Sequence, residues 1–163
     1  MTDRYGSFRG APMQTTPPRP PIGALGGEFI KRQCIDSVEL AAAPVADRIF
    51  LGNFLLEAIL DPYGSDYSYD ALGASTTLSI GDTANPAALA AAASTASAGT
   101  RKIMASVGIE KYPMPLWQVL GYASLEAAIA AQSRKNGTVN LYATIGGAAA
   151  TGTVTWQIKG CDA

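Results

Sequence analysis

"TVNLYATIGGAAATGTVTWQIK", running from Thr138 to Lys159, is the stretch whose reading decides the fold. In its first half Val139, Leu141, Ala143 and Ile145 alternate with Thr138, Asn140, Tyr142 and Thr144. In its second half Val154, Trp156 and Ile158 alternate with Thr153, Thr155 and Gln157. A period of two puts successive side chains on opposite faces of an extended chain, so each half reads as a strand with one apolar and one polar face. The small, flexible linker between them predicts an antiparallel hairpin. Trp156 is the expected core anchor, since an indole offers a large area to bury.

Working outward, the same signature recurs. In "STTLSIGD" (75–82) Thr76, Leu78 and Ile80 face one way, and Ser75, Thr77 and Ser79 the other. In "CIDSVELAAAP" (34–44) Val38 and Leu40 point inward, Ser37 and Glu39 outward, and Pro44 ends the strand. "DRIFLGNFLLEAILDPYG" (47–64) predicts one or two strands, split at Gly52-Asn53 and ended by the turn at Pro62–Gly64. "TRKIMASVGI" (100–109) predicts a further strand. Two short helices are expected. One covers "NPAALAAAAS" (85–94), with Asn85 capping and Pro86 at the first helical position. The other covers "SLEAAIAAQSRKNG" (124–137), with Ser124 as N-cap and Gly137 beyond its end. The fold class is therefore mainly β: an antiparallel, jelly-roll-like sandwich with one or two short helices and an extended N-terminal arm.

The arm is residues 1–28 and the sandwich body residues 29–163. The arm holds five of the ten prolines and five glycines and has neither helix nor strand period. It predicts an irregular or polyproline-like segment with little contact to its own body. Tyr5, Phe8, Ile22 and Leu25 are spaced apolar anchors along it, and Arg9 and Arg19 are cations. These six are the candidate partner-binding residues of the arm, because proline lowers the entropy lost when a segment becomes ordered on a partner.

At 163 residues the chain is long enough to bury a core without staples. Its formal net charge of −1 gives no general attraction to nucleic acid. No apolar run approaches the roughly 20 residues a membrane-spanning helix needs. The N-terminus "MTDRYGSFRG" has no hydrophobic signal core, which predicts synthesis and use without export. Cys34 and Cys161 form neither a CxxC nor a zinc spacing and are expected as free thiols. Histidine is absent, which removes Ser-His-Asp and Cys-His nucleophile arrangements and the commonest general base. No catalytic residue, metal site or cofactor is assigned.

Three stretches need weighing. "IGD" at 80–82 has no partner base or nucleophile in the sequence; Gly81 is expected to allow a turn and Asp82 to bond nearby amides. "DPYGSDYSYD" (61–70) gathers Asp61, Asp66 and Asp70, but their spacing is not that of an EF-hand calcium loop. Its tyrosines, Tyr63, Tyr67 and Tyr69, suit a protein contact, since tyrosine is favoured at interfaces. Arg134 and Lys135 form a small basic loop, expected to be a solvated turn.

Together, "YDALGASTTLSIGDTANPAAL" (69–89), "LWQVLGYASLEAAIAAQ" (116–132) and "VNLYATIGGAAATGTVTWQIKG" (139–160) resemble small structural proteins of tailed bacteriophages, among them capsid decoration, or cement, proteins. The resemblance rests on strand and turn patterns over about residues 35–160. It implies a β-sandwich on the outer surface of the virion shell, bound to the major capsid protein. A homo-oligomer is expected, a trimer ahead of a dimer, made in the host bacterial cytoplasm. Other virion parts, such as a tail, baseplate, head-fibre or adaptor protein, share such a body. A carbohydrate-binding or hydrolytic sandwich would need an exposed aromatic platform or a carboxylate pair, and Trp117 and Trp156 both have apolar neighbours.

Overall fold

The computed structural model describes residues 3–4, 31–132 and 136–161. Its strands are β1 (Asp3–Arg4), β2 (Lys31–Ala43), β3 (Arg48–Leu55), β4 (Ile59–Leu60), β5 (Asp66–Tyr69), β6 (Thr77–Gly81), β7 (Ala90–Ser94), β8 (Gly99–Lys102), β9 (Thr138–Gly146) and β10 (Ala150–Cys161). They form two sheets, one in the order β1-β3-β9-β6-β7 and one in the order β2-β10-β5-β8, with β4 also pairing β10. Every pairing is antiparallel except that of β1 with β3. The result is the expected β-sandwich. Two helices, α1 (Leu116–Val119) and α2 (Leu125–Ala131), lie in the connection from β8 to β9.

The alternation places the core where it predicts. Leu78, Ile80, Leu141, Val154, Trp156 and Ile158 are all at most 1% exposed and belong to one cluster. Thr155 stays exposed, and Thr77 and Asn140 are only partly covered, so the register is right. Within β2, Cys34, Asp36 and Leu40 are buried, Val38 packs against the core, and Glu39 is exposed.

The partner of the deciding strand is different from the expected one. β9 lies in one sheet between β3 and β6, and β10 lies in the other between β2 and β5. The linker after Gly146 therefore crosses between the sheets instead of closing a hairpin. Alternation fixes which face is buried, and both halves do bury that face. It carries no information on the neighbouring strand, and two inner faces of a sandwich look alike in sequence.

Three smaller corrections follow. The helix expected at 85–94 is absent: Ala90–Ser94 is strand β7, paired with β6. Asn85 does not cap; its N–H donates to Asp82 Oδ1 at 2.6 Å. One turn forms, with Ala88 N–H on the Asn85 carbonyl, and then Leu89 N–H bonds the Ile80 carbonyl as its side chain enters the core. A short alanine run has too few hydrogen bonds to outweigh helix nucleation, and a ladder beside an exposed strand satisfies the same groups. β3 is not split at Gly52-Asn53; it runs through, with a bulge between Phe50 and Gly52, and the break comes after Leu55. The expected strand at 100–109 is only Gly99–Lys102, after which Ile103 and Met104 turn into the core.

α2 begins as predicted: Ser124 Oγ accepts from Ala127 N–H at 3.1 Å. It ends at Ala131. α1 follows Pro115 and buries Leu116 and Val119. Trp117 is partly buried against the same core. Cys34 and Cys161 are thiols and not a disulfide: Cys34 Sγ donates to the Leu51 carbonyl at 3.1 Å and Cys161 Sγ points to that of Ile59 at 3.8 Å. No helix among the described residues is long and apolar enough to cross a membrane.

Candidate interaction surfaces

The "IGD" turn is built as structure. A Cβ on Gly81 would lie 2.0 Å from the Asn85 carbonyl oxygen, so only glycine fits where the chain folds back. Asp82 is 1% exposed and its carboxylate is fully engaged. Oδ1 accepts from Asn85 N–H, and Oδ2 accepts from Tyr122 Oη at 2.5 Å and Gln132 Nε2 at 3.2 Å. Gln132 also donates to Tyr122 Oη at 3.2 Å. Burial, and then the bond to Asp82, raise the Tyr122 hydroxyl above its ordinary range. The cluster fastens the helical connection to the sandwich. The nearby-amide bond of Asp82 was legible in the sequence; Tyr122 and Gln132, 40 and 50 residues away, were not.

The acidic loop disperses. Asp61 Oδ1 accepts from the N–H groups of Tyr63 (2.9 Å) and Gly64 (3.0 Å). Asp66 faces Lys102 at 3.6 Å, and Asp70 Oδ2 accepts from Thr153 N–H at 3.0 Å. Among the described residues no three histidine, cysteine, aspartate or glutamate side chains converge on a metal position.

The three tyrosines separate as well. Tyr67 and Tyr69 are 1% and 7% exposed, which withdraws them as partner contacts. They stand at alternate positions of β5 with both rings in the core, and burial raises the Tyr67 hydroxyl above its ordinary range. Arg101 Nε donates to Tyr69 Oη at 2.9 Å, which raises the guanidinium further. The two tyrosines share one strand face, a period-two signal that the sequence carried. Tyr63, on the turn, is 71% exposed.

Tyr63 is not isolated. Its ring meets Tyr112 edge-on at 5.9 Å. Tyr112 follows a 3-10 turn at Ile109–Lys111, and Ile109 is 72% exposed. Beside Tyr63, a cleft of about 510 Å³ opens between β4, the end of β10 and Gln33. Neither Ile109 nor Tyr112, which packs partly against the core, was singled out by the sequence, because the turn that carries them has no periodicity.

On the opposite side of β3 from β9, Asp3 pairs with Arg48 and Arg4 with Ile49. The arm therefore contributes this short parallel strand. Its anchors Tyr5, Phe8, Arg9, Arg19, Ile22 and Leu25, and the basic pair Arg134 and Lys135, lie outside the described residues. On the outer face of that sheet, the Arg48 guanidinium stacks over Tyr142 at 4.5 Å, and Phe50 meets the same ring at 5.8 Å.

No family model and no curated protein sequence matches the chain. Two solved structures match its fold. A chain of the "Capsid of Ralstonia phage GP4" aligns with a TM-score of 0.55 at 13% identity, covering 99% of this chain and 99% of that one. A chain of the "Cyanophage Pam1 capsid asymmetric unit" aligns with a TM-score of 0.52 at 15% identity, covering 90% of this chain and 96% of that one.

Proposed function

We propose that this chain is a structural protein of a bacteriophage virion, a decoration or cement protein that binds the outer surface of the major capsid protein shell and stabilises the head. The observation that carries the reading is the end-to-end match, 99% of each chain, to a chain of a phage capsid assembly. The residues agree: the buried Asp82 is saturated by hydrogen bonds, histidine is absent, and the three loop aspartates serve turns and strands. No catalysis and no cofactor is assigned.

The arm supplies the means of attachment in this reading. Its anchors can each contribute about 1.5–3 kcal/mol when buried, against about 1–2 kcal/mol per residue of backbone ordering. Apolar burial alone therefore supports only part of the arm, and backbone hydrogen bonds or contacts of the body must supply the rest.

The copy number of the chain per particle is the test. A number comparable to that of the major capsid protein supports shell decoration. A handful of copies overturns it in favour of a tail, baseplate, head-fibre or adaptor part.

A further inference from the structure

The basic stretch "SRKNG" (133–137) ends in Asn136-Gly137, at the entrance to β9. The backbone nitrogen that follows an asparagine can attack the side-chain amide at Cγ. Three things govern this attack: whether that nitrogen carries a hydrogen, whether the backbone there can bend, and whether charge arriving on Oδ1 is stabilised. The chain has four asparagines, Asn53, Asn85, Asn136 and Asn140. Asn85 precedes Pro86, which has no N–H. Asn53 and Asn140 lie inside β3 and β9, and the residues after them, Phe54 and Leu141, are buried strand residues. Asn136 differs on each count. It is exposed, and Gly137 has φ of 75° in a bend where an added Cβ would meet nothing within 4 Å, so the turn is open to water. Leu56 N–H donates to the Gly137 carbonyl at 2.9 Å, but the Leu56 carbonyl accepts from Trp117 N–H at 2.9 Å, so the Gly137 N–H stays outside the ladder. Asn136 Oδ1 accepts from Thr138 Oγ1 at 2.7 Å and from Thr138 N–H at 3.3 Å, which folds the side chain back over its own backbone. Asn53 Nδ2 donates to Thr138 Oγ1 at 3.2 Å, so that hydroxyl directs its proton to Asn136.

We infer that Asn136 is a self-modifying site, converted without an enzyme to aspartate and isoaspartate through a succinimide shared with Gly137. Hydroxide takes the Gly137 amide proton, and the nitrogen attacks Asn136 Cγ. The new N–C bond puts a negative charge on Oδ1, where the Thr138 hydroxyl and N–H are two donors already in place. Hydrogen bonds to a developing charge are about twice as strong as neutral ones, so they lower the barrier more than they stabilise the amide. The charge returns to the carbonyl, the Cγ–Nδ2 bond breaks, and the nitrogen leaves as ammonia with a proton from water. Water then opens the ring. Cleavage at Cγ gives aspartate. Cleavage at the main-chain carbonyl carbon gives isoaspartate, whose backbone runs through Cβ and Cγ. No electrons are exchanged, and water and hydroxide are the only co-reactants. Thr138 touches the reacting carbonyl, and Asn53 is a positioning residue acting through it. Each conversion adds one negative charge to a chain of formal net charge −1, directly after Arg134 and Lys135 in sequence.

Peptide mapping by mass spectrometry tests this on the full-length protein, held warm at mildly alkaline pH. The segment with Asn136 should show the mass change of an NH2-to-OH replacement, in separate aspartate and isoaspartate forms. Fragmentation should place it on Asn136 and not on Asn140, and the rate should rise with pH because the attacking nitrogen must lose its proton. A synthetic peptide of residues 131–142, which lacks the Asn53 bond, is the reference, and the folded chain should convert at least as fast. Thr138→Val keeps the shape and removes the hydroxyl. It should slow the folded chain about tenfold, the worth of one hydrogen bond to a developing charge, and leave the peptide rate unchanged. Thr138→Ser should restore the rate. Asn53→Ala leaves Thr138 in place and lets its proton turn away, so it too should slow conversion, and it serves where the far-UV spectrum shows Thr138→Val unfolded. An Asn136 that the fold protects relative to the peptide overturns the proposal. So does a rate indifferent to Thr138→Val or, where that variant unfolds, to Asn53→Ala, and so does conversion as fast at Asn53 or Asn140 as at Asn136.

Discussion

Trp156 Nε1 donates to the carbonyl of Leu51 at 2.9 Å, joining the two sheets through the middle of the core. The bond exists because Leu51 sits in the bulge between Phe50 and Gly52, which takes its carbonyl out of the ladder with β9. The same oxygen accepts from Cys34 Sγ. One irregularity in one strand thus satisfies two polar groups that the opposite sheet buries.

Trp156→Phe keeps most of the bulk and removes the donor. Chemical denaturation should show a loss of about 1–3 kcal/mol, the cost of leaving a buried partner short of a hydrogen bond. Trp156→Ala adds a cavity and should cost about 3–5 kcal/mol. No loss in Trp156→Phe would mean that the indole N–H contributes nothing.

Ala46 has φ of 70° in the turn between β2 and β3, a left-handed conformation that costs a side chain about 1–2 kcal/mol. Ala46→Gly relieves that strain and loses about 0.5–1 kcal/mol to unfolded-chain entropy, so a net gain of about 0.5–1 kcal/mol is expected. Gly147, at φ 75°, is the control in the opposite direction. A Cβ there would lie 2.0 Å from the Ser75 carbonyl oxygen, so Gly147→Ala should lower the melting temperature markedly. Thermal unfolding of the two variants checks both signs.

Tyr67 and Tyr122 hold their protons more tightly when folded than when unfolded. Above the ordinary tyrosine range, near pH 10, the unfolded chain loses protons that the folded chain keeps, so the folded state binds more protons and stability falls as pH rises. Stability contributed by these groups is complete below about pH 10 and is lost above it. Tyr122→Phe should flatten this alkaline decline. At neutral pH it should also cost about 1–3 kcal/mol, because Asp82 loses a donor inside the fold. Denaturation midpoints measured from neutral to alkaline pH would show both effects.

What the sequence revealed and concealed divides along physical lines. Face selection in β6, β9 and β10 was legible because period two is local: each residue's burial follows from its neighbours two away. Strand pairing was not, as β9 and β10 show, because it depends on which inner face lies opposite. The alanine-rich β7 was misread because helix propensity is a weak prior that tertiary pairing overrides. Of the candidate contacts, Tyr63 was legible from its Pro-Tyr-Gly turn. The burial of Tyr67 and Tyr69 followed from their alternation, yet residue type alone favoured an interface. The Asp82 cluster is assembled from distant segments, and no local pattern marks such convergence.

Deletion of residues 1–27 separates the arm from the body. Only Asp3 and Arg4 of that segment form a strand among the described residues, paired over two positions with Arg48 and Ile49. Such a short parallel ladder at a sheet edge contributes little to a core whose members among the described residues lie within residues 34–158. The truncated chain should therefore fold, with a far-UV spectrum and melting temperature close to those of the full chain. Binding to expanded heads that lack the protein should fall sharply, because the spaced anchors Tyr5, Phe8, Ile22 and Leu25 leave with the arm. The protection of those heads against heat should fall in parallel. Oligomerisation holds several arms near their sites at once, so the loss should be steeper for the assembled protein than for a variant kept monomeric. Undiminished binding by the truncated chain would remove the arm from the mechanism and turn attention to the body, where Tyr63 is the most exposed aromatic side chain among the described residues.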